Sequence, residues 1–131
     1  MRGDRVKYFG FYDAVPCKIG SGVRPDDLPR GPIGSDRAAL AAYMAVCEWL
    51  SVAPGVERDP FDESREVMGG FSLRTDGEWV WPSMACHLVR VHDLVVPPEF
   101  EQRVVRRGHV APALTHEEIV ELFLSVKAEL W

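Results

Sequence analysis

The sequence predicts an α+β fold: a small antiparallel sheet that includes a hairpin over residues 70–81, packed by about four helices. Three observations carry that prediction. Residues 5–15, RVKYFGFYDAV, have the aromatic and β-branched character of a strand. Asp76-Gly77 marks a tight turn between two apolar runs. Residues 35–50 and 115–130 carry apolar side chains at three- and four-residue steps, the spacing of a helix with one buried face. The chain has 131 residues, 47% hydrophobic and 27% charged, which suits one domain over residues 1–131. A core of that size needs neither disulfide nor metal.

In the first strand, Tyr8, Gly10 and Tyr12 share one face, and Phe9, Phe11 and Asp13 the other. Aromatics on both faces imply cover on both sides. Residues 16–34, PCKIGSGVRPDDLPRGPIG, read as a long irregular loop, of the kind that often carries function. A helix follows over 35–50, with Ser35 as N-cap and Asp36 complementing the helix dipole. Its core face is Leu40, Tyr43, Met44, Cys47 and Leu50. Residues 51–65 hold two prolines and many charges and read as loop, with room for a short strand near Val52.

Two registers compete for the hairpin. A two-residue loop pairs Thr75 with Glu78 and sets Trp79 opposite Arg74. A three-residue loop, 75–77, pairs Arg74 with Glu78, Leu73 with Trp79 and Phe71 with Trp81. A one-residue slip exchanges the two faces, so hydrophobic patterning chooses. The three-residue loop gathers Phe71, Leu73, Trp79 and Trp81 on one face and is the expected register. Pro82 then opens a helix with Met84, Leu88 and Val91 inward, ending near Asp93. Pro98 opens another, with Glu99 in its first turn and Phe100 and Val104 buried. Arg103, Arg106 and Arg107 sit near its end, and Gly108 closes it. Thr115 and Glu118 form a capping box for a last helix with the stripe Ile119, Leu122, Phe123, Val126 and Leu130.

Net charge is −5, which argues against DNA or an anionic membrane as partner and is compatible with a basic one. Cys17, Cys47 and Cys86 are odd in number and widely spaced, as expected of free thiols in a reducing cytoplasm. The first ten residues lack the apolar core of a signal peptide, and no run is long enough to span a membrane. Arg2-Gly3-Asp4 is read as a chance tripeptide.

Chemistry-bearing patterns are few. His87 and His92 are five apart, which does not put them on one helix face, and His116 lies in the capped first turn. No metal site is therefore expected, and no cofactor, since P-loop, dinucleotide and nucleophile-elbow motifs are missing. Gly20-Ser21-Gly22 reads as a flexible loop before an anion cradle. Cys17 has Lys18 beside it but no histidine base nearby in sequence. Asp26, Asp27, Asp59, Asp62 and Glu63 read as a solvated acidic surface. Arg103, Arg106, Arg107 and His109 are read as serving a helix end before a phosphate.

The stretches LPRGPIGSDRAALAAYM, GGFSLRTDGEWVWPS and HDLVVPPEF resemble a set of small proteins from high-GC actinobacteria that share a TDGxWVWP motif. The likeness covers most of residues 28–100 and implies no chemistry. Small acidic α+β chains of this kind also look like immunity proteins, which implies a toxin-neutralising role.

Trp79 and Trp81 are expected first as core against the 35–50 helix, and only second as an open aromatic floor. Three functional readings follow. The first is a non-enzymatic protein-binding module, immunity-like, with Trp79 and Trp81 as anchors if they are open to water. The second is a small enzyme or small-molecule binder, with a pocket between the 16–34 loop and the aromatic strands. Tyr8, Tyr12, Asp13 and Asp76 would be its polar groups. The third is a homodimer closed over an exposed aromatic face.

Overall fold

The computed structural model describes residues 5–131. The Arg2-Gly3-Asp4 tripeptide lies outside them. The α+β expectation holds. Strands β1 (Lys7–Tyr8), β2 (Glu48–Ser51), β5 (Leu73–Thr75) and β6 (Trp79–Pro82) form one sheet in the order β1-β6-β5-β2. A second, two-stranded sheet joins β3 (Val56–Asp59) and β4 (Asp62–Met68). The helices are α1 (Arg37–Val46), α2 (Ser83–His92), α3 (Pro98–Arg106) and α4 (His116–Leu130). The main sheet is mixed, because β1 runs parallel to β6.

The predicted strand over 5–15 shrinks to two residues. At Gly10 the backbone turns left-handed (φ 81°), and a Cβ there would sit 2.8 Å from the Cβ of Ala85. The chain leaves the sheet at that point, and Phe9, Phe11 and Tyr12 bury themselves from irregular backbone. The 16–34 loop is irregular as expected, but it is well tied. The Arg37 guanidinium donates to the carbonyls of Gly31, Val89 and Leu94, and Val95 N–H donates to the Pro29 carbonyl.

Asp36, not Ser35, caps α1, its carboxylate accepting the Ala39 N–H at 3.1 Å. The helix stops at Val46, four residues short of expectation, because residues 48–51 pair with β5. The Arg74 guanidinium locks this exit: it bonds the Cys47 carbonyl at 2.7 Å and stacks 3.5 Å from the Trp49 ring centroid. Cys47 and Leu50 still reach the core. A helical step of three and a turn into a strand put the same two side chains inside.

Neither expected hairpin register forms. Leu73 pairs with Pro82, Arg74 with Trp81, and Thr75 with Val80. Residues 76–79 make a four-residue loop in which the Asp76 carboxylate accepts the N–H groups of Glu78 and Trp79. Trp79 and Trp81 do share a face, but Leu73 belongs to the other. The correction has a simple cause. β6 is an inner strand and all its residues are buried, so face alternation could not choose the register. Trp79 and Trp81 pack on Phe9 and on Phe100 of α3.

α2 begins right after Pro82 and ends at Asp93, whose φ of 58° is left-handed. Pro82 offers no capping side chain. The carbonyls of Ser72 and Gly70 instead accept the N–H groups of Ser83 and Met84. α3 spans Pro98–Arg106 with Phe100 and Val104 buried, as expected. The Thr115–Glu118 capping box forms at α4, with Leu122, Val126 and Leu130 fully inside and Ile119 and Phe123 half-buried.

The β3–β4 hairpin is the element that the sequence conceals. Its residues are mostly exposed, so no apolar alternation marks it. Its turn is fixed by local carboxylate bonds: Asp59 accepts the Phe61 N–H, and Asp62 accepts the N–H and hydroxyl of Ser64.

Candidate functional site

The β3–β4 turn carries Asp59 onto α2, and there the structure assembles its most concentrated chemistry. The Asp59 side chain is fully buried. Its Oδ2 lies 2.6 Å from Nε2 of His87 and 2.6 Å from Nε2 of His92. Its Oδ1 accepts the Phe61 N–H at 2.7 Å. A carboxylate only accepts, so each Nε2 carries its proton and donates. Burial by itself raises the Asp59 carboxyl. The bonds from His87, Phe61 and His92 outweigh it and hold the group below the usual carboxylate range.

Five residues along a helix rise about 7.5 Å and turn about 140° past a full circle. Two imidazoles at that spacing flank a helix rather than share a face. A carboxylate placed between them can still touch both, and the ring centroids stand 5.8 Å apart. The Phe61 ring covers His92 (5.3 Å between centroids), and the Arg30 guanidinium stacks 4.2 Å from the Phe61 centroid. His92 keeps 17% of its side chain exposed against 9% for His87, so water reaches the cluster on the His92 side.

Among the described residues, these three side chains form the group that could hold a metal ion: their ligand atoms all lie within 4.8 Å of one another. The five-residue spacing concerns a single helix; the hairpin adds Asp59 to the two histidines of α2. Asp59, expected in a solvated acidic surface, is buried instead.

The residues expected to bind a ligand do not converge. Trp79 and Trp81 are core, 4% and 0% exposed, and cannot anchor a partner. Tyr12 is buried against Phe71. Its phenol is raised by burial and then by the negative fields of Asp59, Glu57 and Asp13, which places it electrically near the cluster. The Tyr8 hydroxyl donates to Glu129 of α4 at 3.0 Å. Asp76 is buried and fully bonded, as its Oδ2 accepts the Tyr43 hydroxyl and the Arg103 Nε–H, both at 2.9 Å. Asp13 is exposed, in a shallow depression with Cys17, Lys18, Ser21 and Trp131 that the hairpin does not line. The expected pocket between the 16–34 loop and the aromatic strands is thus replaced by an open hollow against the end of α4.

The remaining patterns resolve structurally. Arg103 is committed to Asp76 and Glu78, and Arg107 donates to the Val110 carbonyl, which disperses the basic cluster. Burial raises the Cys17 thiol despite its lysine neighbour. Burial pushes Cys47 and Cys86 up to about 12 and about 11, so neither is a poised nucleophile.

The second feature of this region is a groove of 700 Å³ between α1, α2 and β4, in which His87 forms part of one wall. The Asp59–His87–His92 cluster and the groove thus share one side chain. Comparison of the chain with protein-family models, with curated proteins and with solved structures finds no match.

Proposed function

We propose that the protein binds a divalent transition-metal ion through Asp59, His87 and His92, and that the ion acts on a small molecule. The observation that carries this reading is the convergence of two imidazole nitrogens and one buried carboxylate oxygen, at 2.6 Å on each side. Around a tetrahedral ion with ligand bonds of about 2.0–2.1 Å, donor atoms stand roughly 3.3 Å apart. Opening each contact by less than about 1 Å, with loss of the two Nε2 protons, makes room for the ion. A mixed nitrogen and oxygen set suits zinc, cobalt or ferrous iron better than calcium or magnesium. Three protein ligands leave a position open, the arrangement of sites that activate water or a bound ligand rather than merely brace a fold.

Titration of chelator-treated protein with Co(II), followed by its visible absorption, is expected to saturate at one ion per chain. His92→Ala should weaken binding by at least about 100-fold. Featureless spectra, or equal binding by His92→Ala and wild type, would sink the proposal.

The protein-binding reading, immunity-like or as a homodimer, moves to a different surface. β2 is an edge strand, and Trp49, Val46 and Val52 around it are 42%, 68% and 66% exposed. An open edge with apolar side chains invites pairing with another strand. Sedimentation at micromolar concentration should then show a dimer that Trp49→Glu dissolves. A monomer at all concentrations removes the self-pairing form. Among the described residues no helix is long and apolar enough to cross a membrane.

A further inference from the structure

We infer that the groove between α1, α2 and β4 binds a small organic anion with an apolar body, a carboxylate or a phosphate monoester. The inference deepens the proposed metal reading and rests on it only for extra attraction at the His87 end. The floor is one face of α1 on which Ala38, Ala42 and Ala45 recur at helical spacing. Their methyl groups leave open the space that larger side chains would fill, and they supply the apolar surface. The 700 Å³ so formed lies within the range of sites that hold small molecules.

The charge comes from the rims. Arg65 of β4 and Arg90 of α2 both line the groove. Arg65 makes only a loose pair with Asp62, at 3.7 Å. Among the described residues the Arg90 guanidinium has no hydrogen-bond or ion-pair partner. Glu66, next to Arg65 on β4, is the acidic residue in the lining, so the two arginines there outnumber the one carboxylate. In a chain of net charge −5 that is a local reversal of sign. Guanidinium groups match carboxylate and phosphate oxygens in pairs. His87 brings the metal-ligand cluster to the same wall, where a divalent ion would add attraction for the same anion.

The test is calorimetric titration of the full chain with octanoate, octyl phosphate and neutral octanol, first in chelator and then with zinc. Both anions are expected to bind in chelator at least about tenfold more tightly than octanol, with zinc strengthening them; the tighter anion names the headgroup. Arg65→Gln combined with Arg90→Gln should weaken anions about tenfold or more and leave octanol unchanged. Ala42 is exposed, so Ala42→Trp should fill the groove without disturbing the core and should abolish all binding. Circular dichroism confirms that the variants fold. Absence of anion binding in chelator, or full binding by Ala42→Trp, overturns the inference even if cobalt still binds. If cobalt fails to bind while anions bind in chelator, the metal reading falls and the groove stands.

Discussion

Asp76→Ala is expected to lower the free energy of unfolding by about 3–5 kcal/mol, a large part of a small domain's stability. The Asp76 side chain is fully buried and receives four donors: the N–H groups of Glu78 and Trp79, the Tyr43 hydroxyl and the Arg103 Nε–H. Removing it leaves two backbone donors without acceptors and takes the carboxylate partner from the Arg103 Nε–H, leaving Arg103 with Glu78 at 2.7 Å and the Asp76 backbone carbonyl at 3.4 Å. It also cuts the side chain that ties α1, the β5–β6 turn and α3 together. Asp76→Asn separates charge from geometry. Its amide oxygen can keep the two backbone bonds, and the Tyr43 hydroxyl can rotate to accept from the amide. The Arg103 Nε–H cannot reverse, so an amide nitrogen would face it donor to donor. About 2 kcal/mol should therefore persist in the amide variant. Urea unfolding of wild type and both variants measures this. A loss under about 1 kcal/mol for Asp76→Ala would show that the network contributes far less than its geometry indicates.

Asp76 also shows where the sequence is legible. Asp-Gly marks the turn correctly, because a turn is a local preference of the backbone. The register was not legible, since β6 is buried on both faces and every alternative buries its tryptophans. The helices with one-sided apolar stripes, α3 and α4, come out nearly residue for residue. α1 is misjudged only at its end, where Arg74 and Trp49 draw residues 48–51 into the sheet. The candidate site was hidden for a related reason. β3–β4 has no buried stripe, so nothing in its pattern separates it from a charged loop. The sequence did hold one signal: two histidines in the last two turns of one helix. Their partner lies 28 residues before His87, and only the fold brings it there.

Asp59→Asn is expected to behave in the opposite way from Asp76→Asn: nearly silent without metal and decisive with it. The two donors on Asp59 Oδ2 are imidazoles, and an imidazole can move its proton from Nε2 to Nδ1. In that variant, a side-chain amide oriented with its oxygen on the Phe61 N–H turns its two N–H groups toward His87 and His92. Both rings then accept, and each polar atom of the present arrangement keeps a partner. The cost should be about 1 kcal/mol or less. The same change removes the anionic ligand and leaves a neutral amide, a poor donor to a transition metal. Binding to the native state alone stabilises it by about 2.7 kcal/mol at a hundredfold excess of free ion over Kd. For a domain of this size that is a rise in Tm of roughly 10 °C. Wild type should show this rise when zinc replaces chelator. Asp59→Asn should show almost none, while melting within about 4 °C of wild type in chelator. A wild-type Tm indifferent to zinc, cobalt and chelator would assign the three side chains to a hydrogen-bonded clamp between the hairpin and α2. In that case Asp59→Ala, which deprives both imidazoles of their common partner, should destabilise the chain equally with and without metal.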